Sequence, residues 1–335
     1  MKTRHSLSRR HFLKSACMAG AAFAASGLIP LPVFAASGRT EQQTRLLMGT
    51  VVTLTAVAPG PAAAEDAFAA AFAEVERQIA VFDRRNGTSA LGVLNGNGGL
   101  TDAPPELLAV LEASSRLGSA PEHAFNPAVT PLVDLLASAK GGALPGYADS
   151  DLKHALALSA PGGVRLSGRS VRLDRTGMLL TLDGIAKGYI ADAASRVLAR
   201  CGLRDHMVNA GGDIRVSGRN AEGRPWTIGI QHPGDRNSLI AAVPVTHGGI
   251  ATSGSYENSY NARRTRHHLV SHLTGKSADV SSVTVRAQNA MEADALATAL
   301  ALMPPAQALQ FAQKAQASAF IVDSQGRMFK SADWV

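Results

Sequence analysis

Three short segments combine residue types that could do chemistry. In Asp183-Gly184-Ile185-Ala186-Lys187-Gly188-Tyr189, glycines stand before and inside a helix start. Glycine allows close approach to the backbone, and the free N–H groups of a first helical turn suit an anion such as a phosphate. Lys187 adds a positive charge there. An ordinary strand-to-helix turn is the alternative reading. In Asn209-Ala210-Gly211-Gly212-Asp213, paired glycines permit a tight turn against a ligand or another strand. The third segment runs from Glu292 to Thr298, with Asp294 and Thr298 four residues apart, so a helix carries both oxygens on one face. A carboxylate plus a hydroxyl is hard-oxygen ligation fit for Mg²⁺, which takes few protein ligands and completes its shell with water and phosphate. A helix start whose acid is favoured by the dipole would look the same.

Other groups carry weaker signals. His267, His268 and His272 lie close together. Zinc would need tetrahedral geometry and a fourth ligand; one histidine that positions or deprotonates a nucleophile is the simpler functional reading. Cys17 and Cys201 are the two cysteines of the chain. With Cys17 in a leader, Cys201 has no partner for an internal disulfide, and no motif around it marks a nucleophile.

The elements that must hold these segments follow from periodicity. Met48-Gly49-Thr50 opens a β-rich run to Val57, and Pro59-Gly60-Pro61 ends it. Phe68, Phe72, Val75 and Ile79 recur at helical spacing within an amphipathic helix over 62–81. Pro105 to Leu117 reads as a helix with Pro at its start, and 127–137 as another short one. Val164–Leu166 and Val171–Leu173 alternate as a hairpin, and Met178–Leu182 is strand-like. A helix from Gly184 to Ala199 follows, ending at Cys201-Gly202. Strands are expected at 207–209, 214–217, 226–230, 240–252, 268–270, 280–286 and 319–322, and a helix over Met291–Leu302. Residues 37–45 are polar and read as a linker, 140–149 as a loop. Strands and helices mix without a βαβ rhythm, which predicts an α+β fold with mixed or antiparallel sheets.

The bulk properties exclude some functions. The 335 residues, 46% apolar and 18% charged, describe a globular chain. Aromatic residues are 5%, too few to suggest base stacking. The net charge of +7 is concentrated at the start: Lys2, Arg4, Arg9, Arg10 and Lys14 are five cations without an acid in residues 1–36, which leaves +2 for the rest. A nucleic-acid footprint is therefore not expected. Ser8-Arg9-Arg10-His11-Phe12-Leu13-Lys14 resembles a twin-arginine export signal, followed by an apolar Ala-rich stretch and Val33-Phe34-Ala35, a small-residue cleavage pattern. Residues 1–36 are thus expected to be removed after export, folded, by the twin-arginine translocase into the periplasm. A membrane anchor is the alternative, against which the stretch is short and broken by Gly and Pro.

Seven segments in order resemble the ApbE family, the FAD:protein FMN transferases. They are Met48-Gly49-Thr50; Phe125-Asn126-Pro127 with Pro131-Leu132-Val133; Gly184–Tyr189 with Asp192; Asn209–Asp213; Ala251-Thr252-Ser253-Gly254; His268 with Thr274-Gly275; and Ala293–Thr298. The resemblance implies a single ApbE-like (T-fold-like) catalytic unit over about 46–333. It implies Mg²⁺-dependent transfer of FMN from FAD to a threonine hydroxyl of a partner redox protein, with AMP released. The partners implied have periplasmic flavin domains, among them those of nitrous oxide respiration. By position, Met48, Arg85, Ala124, Phe125, Asn126, Lys187 and Val270 would contact FAD. Gly184, through its carbonyl, would join Asp294 and Thr298 around Mg²⁺. His268 would assist transfer, with Asp183 or His272 as substitutes. The chain departs from the family at Asn126 and Thr181, where Asp is usual, at Asp183, where Gly is usual, and at Ser271-His272, where Asp-Pro is frequent. Arg85 stands where some members carry an aromatic residue. Lost acids would also fit an exported FAD carrier or a metal-dependent FAD pyrophosphatase.

Overall fold

The computed structural model describes residues 7–8, 38–118, 125–138, 147–261 and 265–334. The expected leader lies outside these residues except for Leu7 and Ser8, and so does Ala124. In chain order the elements are β1 (Leu7–Ser8), β2 (Arg39–Leu47), β3 (Thr50–Ala58), α1 (Pro61–Phe82), α2 (Ala90–Asn97), β4 (Gly99–Leu100) and α3 (Pro105–Gly118). A 3-10 turn at Pro127–Val129 leads into α4 (Thr130–Ser138), then α5 (Asp149–Leu158), β5 (Val164–Ser167), β6 (Ser170–Leu173) and α6 (Ala186–Arg200). There follow β7 (His206–Ala210), β8 (Asp213–Ser217), β9 (Trp226–His232), β10 (Asp235–Val245), β11 (His247–Gly254) and β12 (Val280–Ala287). The chain continues through α7 (Ala290–Ala301), α8 (Pro305–Lys314), β13 (Ser318–Asp323) and β14 (Met328–Lys330).

Eight strands form one antiparallel sheet in the order β14-β13-β12-β11-β8-β7-β3-β2. Its two faces are set by the period of two along each strand. Val52, Leu54, Val208 and Ala210 meet α1 and α6 on the helical face, and Ala251, Val283, Val285 and Ile321 meet α7 and α8. Ile214, Val216, Ile250 and Val322 point the other way, onto Ile228, Ile230, Val243 and Val245 of the small sheet β1-β10-β9. A third sheet, β4-β6-β5, closes over the helices through Val171 and Leu173. This is the α+β arrangement the sequence implied.

Three expectations need correction. The polar segment 37–45 is not a linker: Arg39–Leu47 is an edge strand paired along its whole length with β3. An edge strand with one face in solvent can be polar at every second position. Met178–Leu182 joins no sheet, although Met178, Leu180 and Leu182 are buried. The Asn95 side chain takes the place of a neighbouring strand, donating to the Leu180 carbonyl at 2.9 Å and accepting its N–H at 2.8 Å. Segment 268–270 forms only an isolated bridge, Val270 with Ser277.

Helices α6 and α7 cross backbone against backbone. A β-carbon on Gly188 would overlap the Ala290 carbonyl, so glycine sets the separation. The Asp192 carboxylate on α6 accepts the N–H groups of Ala290 and Met291, both at 3.0 Å, and so caps α7. Gly188→Ala should therefore cost about 1–3 kcal/mol of stability by overpacking, seen as a lower unfolding midpoint in urea. An unchanged midpoint would show that the crossing is not close.

Candidate active site

The crossing brings two of the three segments together. Gly184 lies just before α6, and Thr298 is on the face of α7 turned towards it. The Thr298 hydroxyl is 3.5 Å from the Gly184 carbonyl and 3.3 Å from the Ser253 hydroxyl of β11. A β-carbon on Gly184 would stand 2.6 Å from Thr298 Oγ1, so this position requires glycine. One turn earlier on α7, Asp294 accepts the Gly188 N–H at 3.0 Å through Oδ2. Asp294 is 3% exposed. Burial, and next the charge of Asp213, push its carboxyl well above the usual carboxylate range. A hydroxyl and a carbonyl in contact, with a buried carboxylate one helical turn away, are a donor set that fits a small hard cation.

A cleft opens on the contact of Gly184 with Thr298. Its walls include Gly184 and Thr298, Phe125 and Asn126, Val270 and His268. Six of the residues expected in the site thus line one cavity. Asn126 also has a structural role: its amide donates to the Ser159 carbonyl at 2.7 Å while its oxygen caps Ala128 N–H at 3.0 Å. Aspartate could not make the first of these bonds, which gives the departure from the family's usual acid a physical reason.

The histidines have different fates. Leu269 N–H donates to His267 Nδ1 at 3.3 Å, which leaves Nε2 to donate to the Ala278 carbonyl at 3.0 Å. Both ring nitrogens are committed to backbone. Among the described residues no group of three or more His, Cys, Asp or Glu side chains could hold a metal ion. His268 Nδ1, by contrast, is buried without a hydrogen-bond partner among the described residues. Burial, then His267 and Lys187, lower the His268 imidazole to about 4.

Lys187 Nζ forms an ion pair with Asp213 Oδ2 at 2.5 Å. Burial alone would lower its ammonium, but the carboxylates of Asp213, Asp294 and Glu257 outweigh that and hold it above its ordinary value. The Asn209–Asp213 segment is the β7–β8 turn, with Gly211 and Gly212 at positive φ. It borders a second cleft, lined also by Ile228, Ile230, Thr252 and Glu257. Although open to solvent, Glu257 is surrounded by enough protein that desolvation lifts its carboxyl to about 7 against the pull of Lys187.

Other expected site residues lie further out. Met48 is in the β2–β3 turn at φ 55°, half-buried against the helical core. Asp183 is 62% exposed and 3.8 Å from Arg84. Arg85 is exposed just after α1. Sequence reasoning gave no role to Asp213, Asp192 or Glu257. The first had a signal: Asp213 and Arg215 alternate with Ile214 and Val216, which puts the polar pair on the helical face.

A model described as the ApbE family matches residues 48–321. The chain belongs to the ApbE family. It is 30% identical over 285 residues to a Treponema pallidum protein named FAD:protein FMN transferase, covering 78% of each chain. A Klebsiella pneumoniae protein of the same name is 31% identical over 210 residues, 61% of this chain and 56% of that protein, so the chain spans only about half of that relative. The solved flavin transferase ApbE of Vibrio cholerae superposes with a TM-score of 0.76 at 26% identity, covering 88% of this chain and 98% of that one.

The depressed His268 value has a testable sign. Its folded value lies below the ordinary 6.5, so the unfolded chain takes up the proton first. Protonation of this site thus removes stability as pH falls from 6.5 to about 4, and has no effect above that window. Imidazole NMR should show His268 neutral down to about pH 4; titration near 6.5 would contradict the burial argument.

Proposed function

We propose that this ApbE-family chain is an FAD:protein FMN transferase that moves FMN from FAD to a threonine hydroxyl of a partner redox protein and releases AMP. The observation that carries the reading is the contact of the Gly184 carbonyl with the Thr298 hydroxyl in the wall of a cleft that also holds His268, with the Asp294 carboxylate one helical turn away on the Gly188 N–H. The names of its relatives support the transfer of FMN from FAD to a protein.

Gly184, Asp294 and Thr298 would hold Mg²⁺. The metal, when bound, supplies charge neutralisation for the diphosphate. The chain's own residues do the rest. Phe125, Asn126 and Val270 form the wall against which the flavin nucleotide is oriented. Lys187, kept protonated, offers a fixed positive charge. His268, neutral and with Nδ1 unpaired among the described residues, takes the hydroxyl proton. The threonine oxygen bonds the FMN phosphorus, the P–O bond to AMP breaks, and AMP leaves with the bonding electrons. Met48, Arg85 and Ala124 are assigned to the nucleotide's outer contacts, and Asp183 to a supporting role beside His268. The Arg9-Arg10 leader supports export by the twin-arginine route to the periplasm, where an acceptor with a periplasmic flavin domain, such as one of nitrous oxide respiration, would be met.

Incubation of the mature protein with FAD, Mg²⁺ and a flavin-acceptor domain should give AMP and an acceptor heavier by one FMN. AMP with an acceptor that stays unmodified, although a known family member labels it, would replace transfer by hydrolysis. Neither product would leave an FAD carrier. Asp294→Ala should abolish the magnesium-dependent turnover; unchanged turnover would refute the metal assignment.

A further inference from the structure

The two clefts share no lining residue, and one ion pair joins the segments that carry Gly184 of the first and Gly212 of the second. Lys187 follows Gly184 of the first cleft by three residues, and Asp213 directly follows Gly212 of the second. The alternation of β8 turns the Asp213 side chain away from Ile214 and towards α6, where its carboxylate meets Lys187 Nζ at 2.5 Å. The carboxylate is 2% exposed, whereas 28% of the lysine side chain remains accessible. The pair is therefore anchored at its acidic end, with part of the lysine side chain still accessible.

Such a pair is a poor device for stability, because a well-packed apolar pair of similar volume often does as well or better. It is a good device for placement. A lysine ammonium is a point charge on a flexible four-carbon stem, and a buried carboxylate removes that freedom before substrate arrives. Gly211 strengthens the case. It sits at φ 72°, with its α-carbon packed on Thr50, so the turn that presents Asp213 is itself held in one conformation.

We infer that Asp213 is a positioning residue for Lys187: its buried carboxylate holds the ammonium between the segments that carry Gly184 and Gly212, to face the dinucleotide's diphosphate. What the ammonium meets rests on the transferase reading; the anchoring does not.

The test uses the full mature chain and its Asp213→Asn variant, with two readouts. Acetic anhydride labelling followed by mass spectrometry reports the reactivity of Lys187 without turnover. It should rise at least several-fold in Asp213→Asn relative to Lys276, an exposed internal standard. In the transfer assay kcat should fall by about tenfold to a hundredfold, with KM for FAD changing far less. A folded Asp213→Asn variant with wild-type labelling and wild-type kcat would overturn the inference. Should that variant fail to fold, labelling of the wild type decides: Lys187 is expected to react at least tenfold more slowly than Lys276, and equal rates would overturn the anchoring. A wild type that transfers no flavin would defeat the transferase reading while leaving the labelling result intact.

Discussion

The molecule depends on the close crossing of α6 and α7. Without a side chain at Gly188 the two backbones meet, and the Gly188 N–H is left pointing at Asp294. Asp192 then locks the start of α7 to α6 with two hydrogen bonds. The Gly184 carbonyl, just before α6, and the Thr298 hydroxyl, two turns along α7, are brought to the same point as a consequence. A helix crossing held by a few small and acidic residues thus brings together two oxygen atoms that lie 114 residues apart in the chain.

This arrangement concentrates acid in a buried place. Asp294 and Asp213 are both buried, Glu257 is close, and Lys187 is the cation held among them. Leaving such charge uncompensated is costly in a low-dielectric interior. The upward push on Asp294 records that cost, and a divalent cation at the junction would relieve it. His268 shows the opposite side of the same physics: burial, with another histidine and Lys187 near it, keeps its ring neutral and its Nδ1 available.

Much of this was legible in the sequence because it depends on local pattern. Phe68, Phe72 and Val75 mark the buried face of α1, and the glycines of 184–188 mark a backbone approach. Asp294 and Thr298 advertise one face of a helix. Other features depend on partners far along the chain. Asn95 standing in for a strand beside Leu180 has no local signature. The polar β2 resembled a linker because an edge strand needs few apolar residues. Asp192 was visible as part of a motif, but its role as the cap of α7 exists only once two helices 98 residues apart are packed. Glu257 carried no signal: its meaning comes from Lys187 and Asp213, which reach it through the fold.

The central claim is that one junction holds a cation against a dinucleotide's diphosphate. A crystal of the protein grown with FAD and Mn²⁺ tests it through the metal's anomalous scattering. The account expects a peak in direct coordination contact, at about 2.1 Å, with the Gly184 carbonyl, an Asp294 oxygen and the Thr298 hydroxyl, beside the FAD diphosphate. A metal peak elsewhere, or FAD bound with its diphosphate away from that junction, would contradict it.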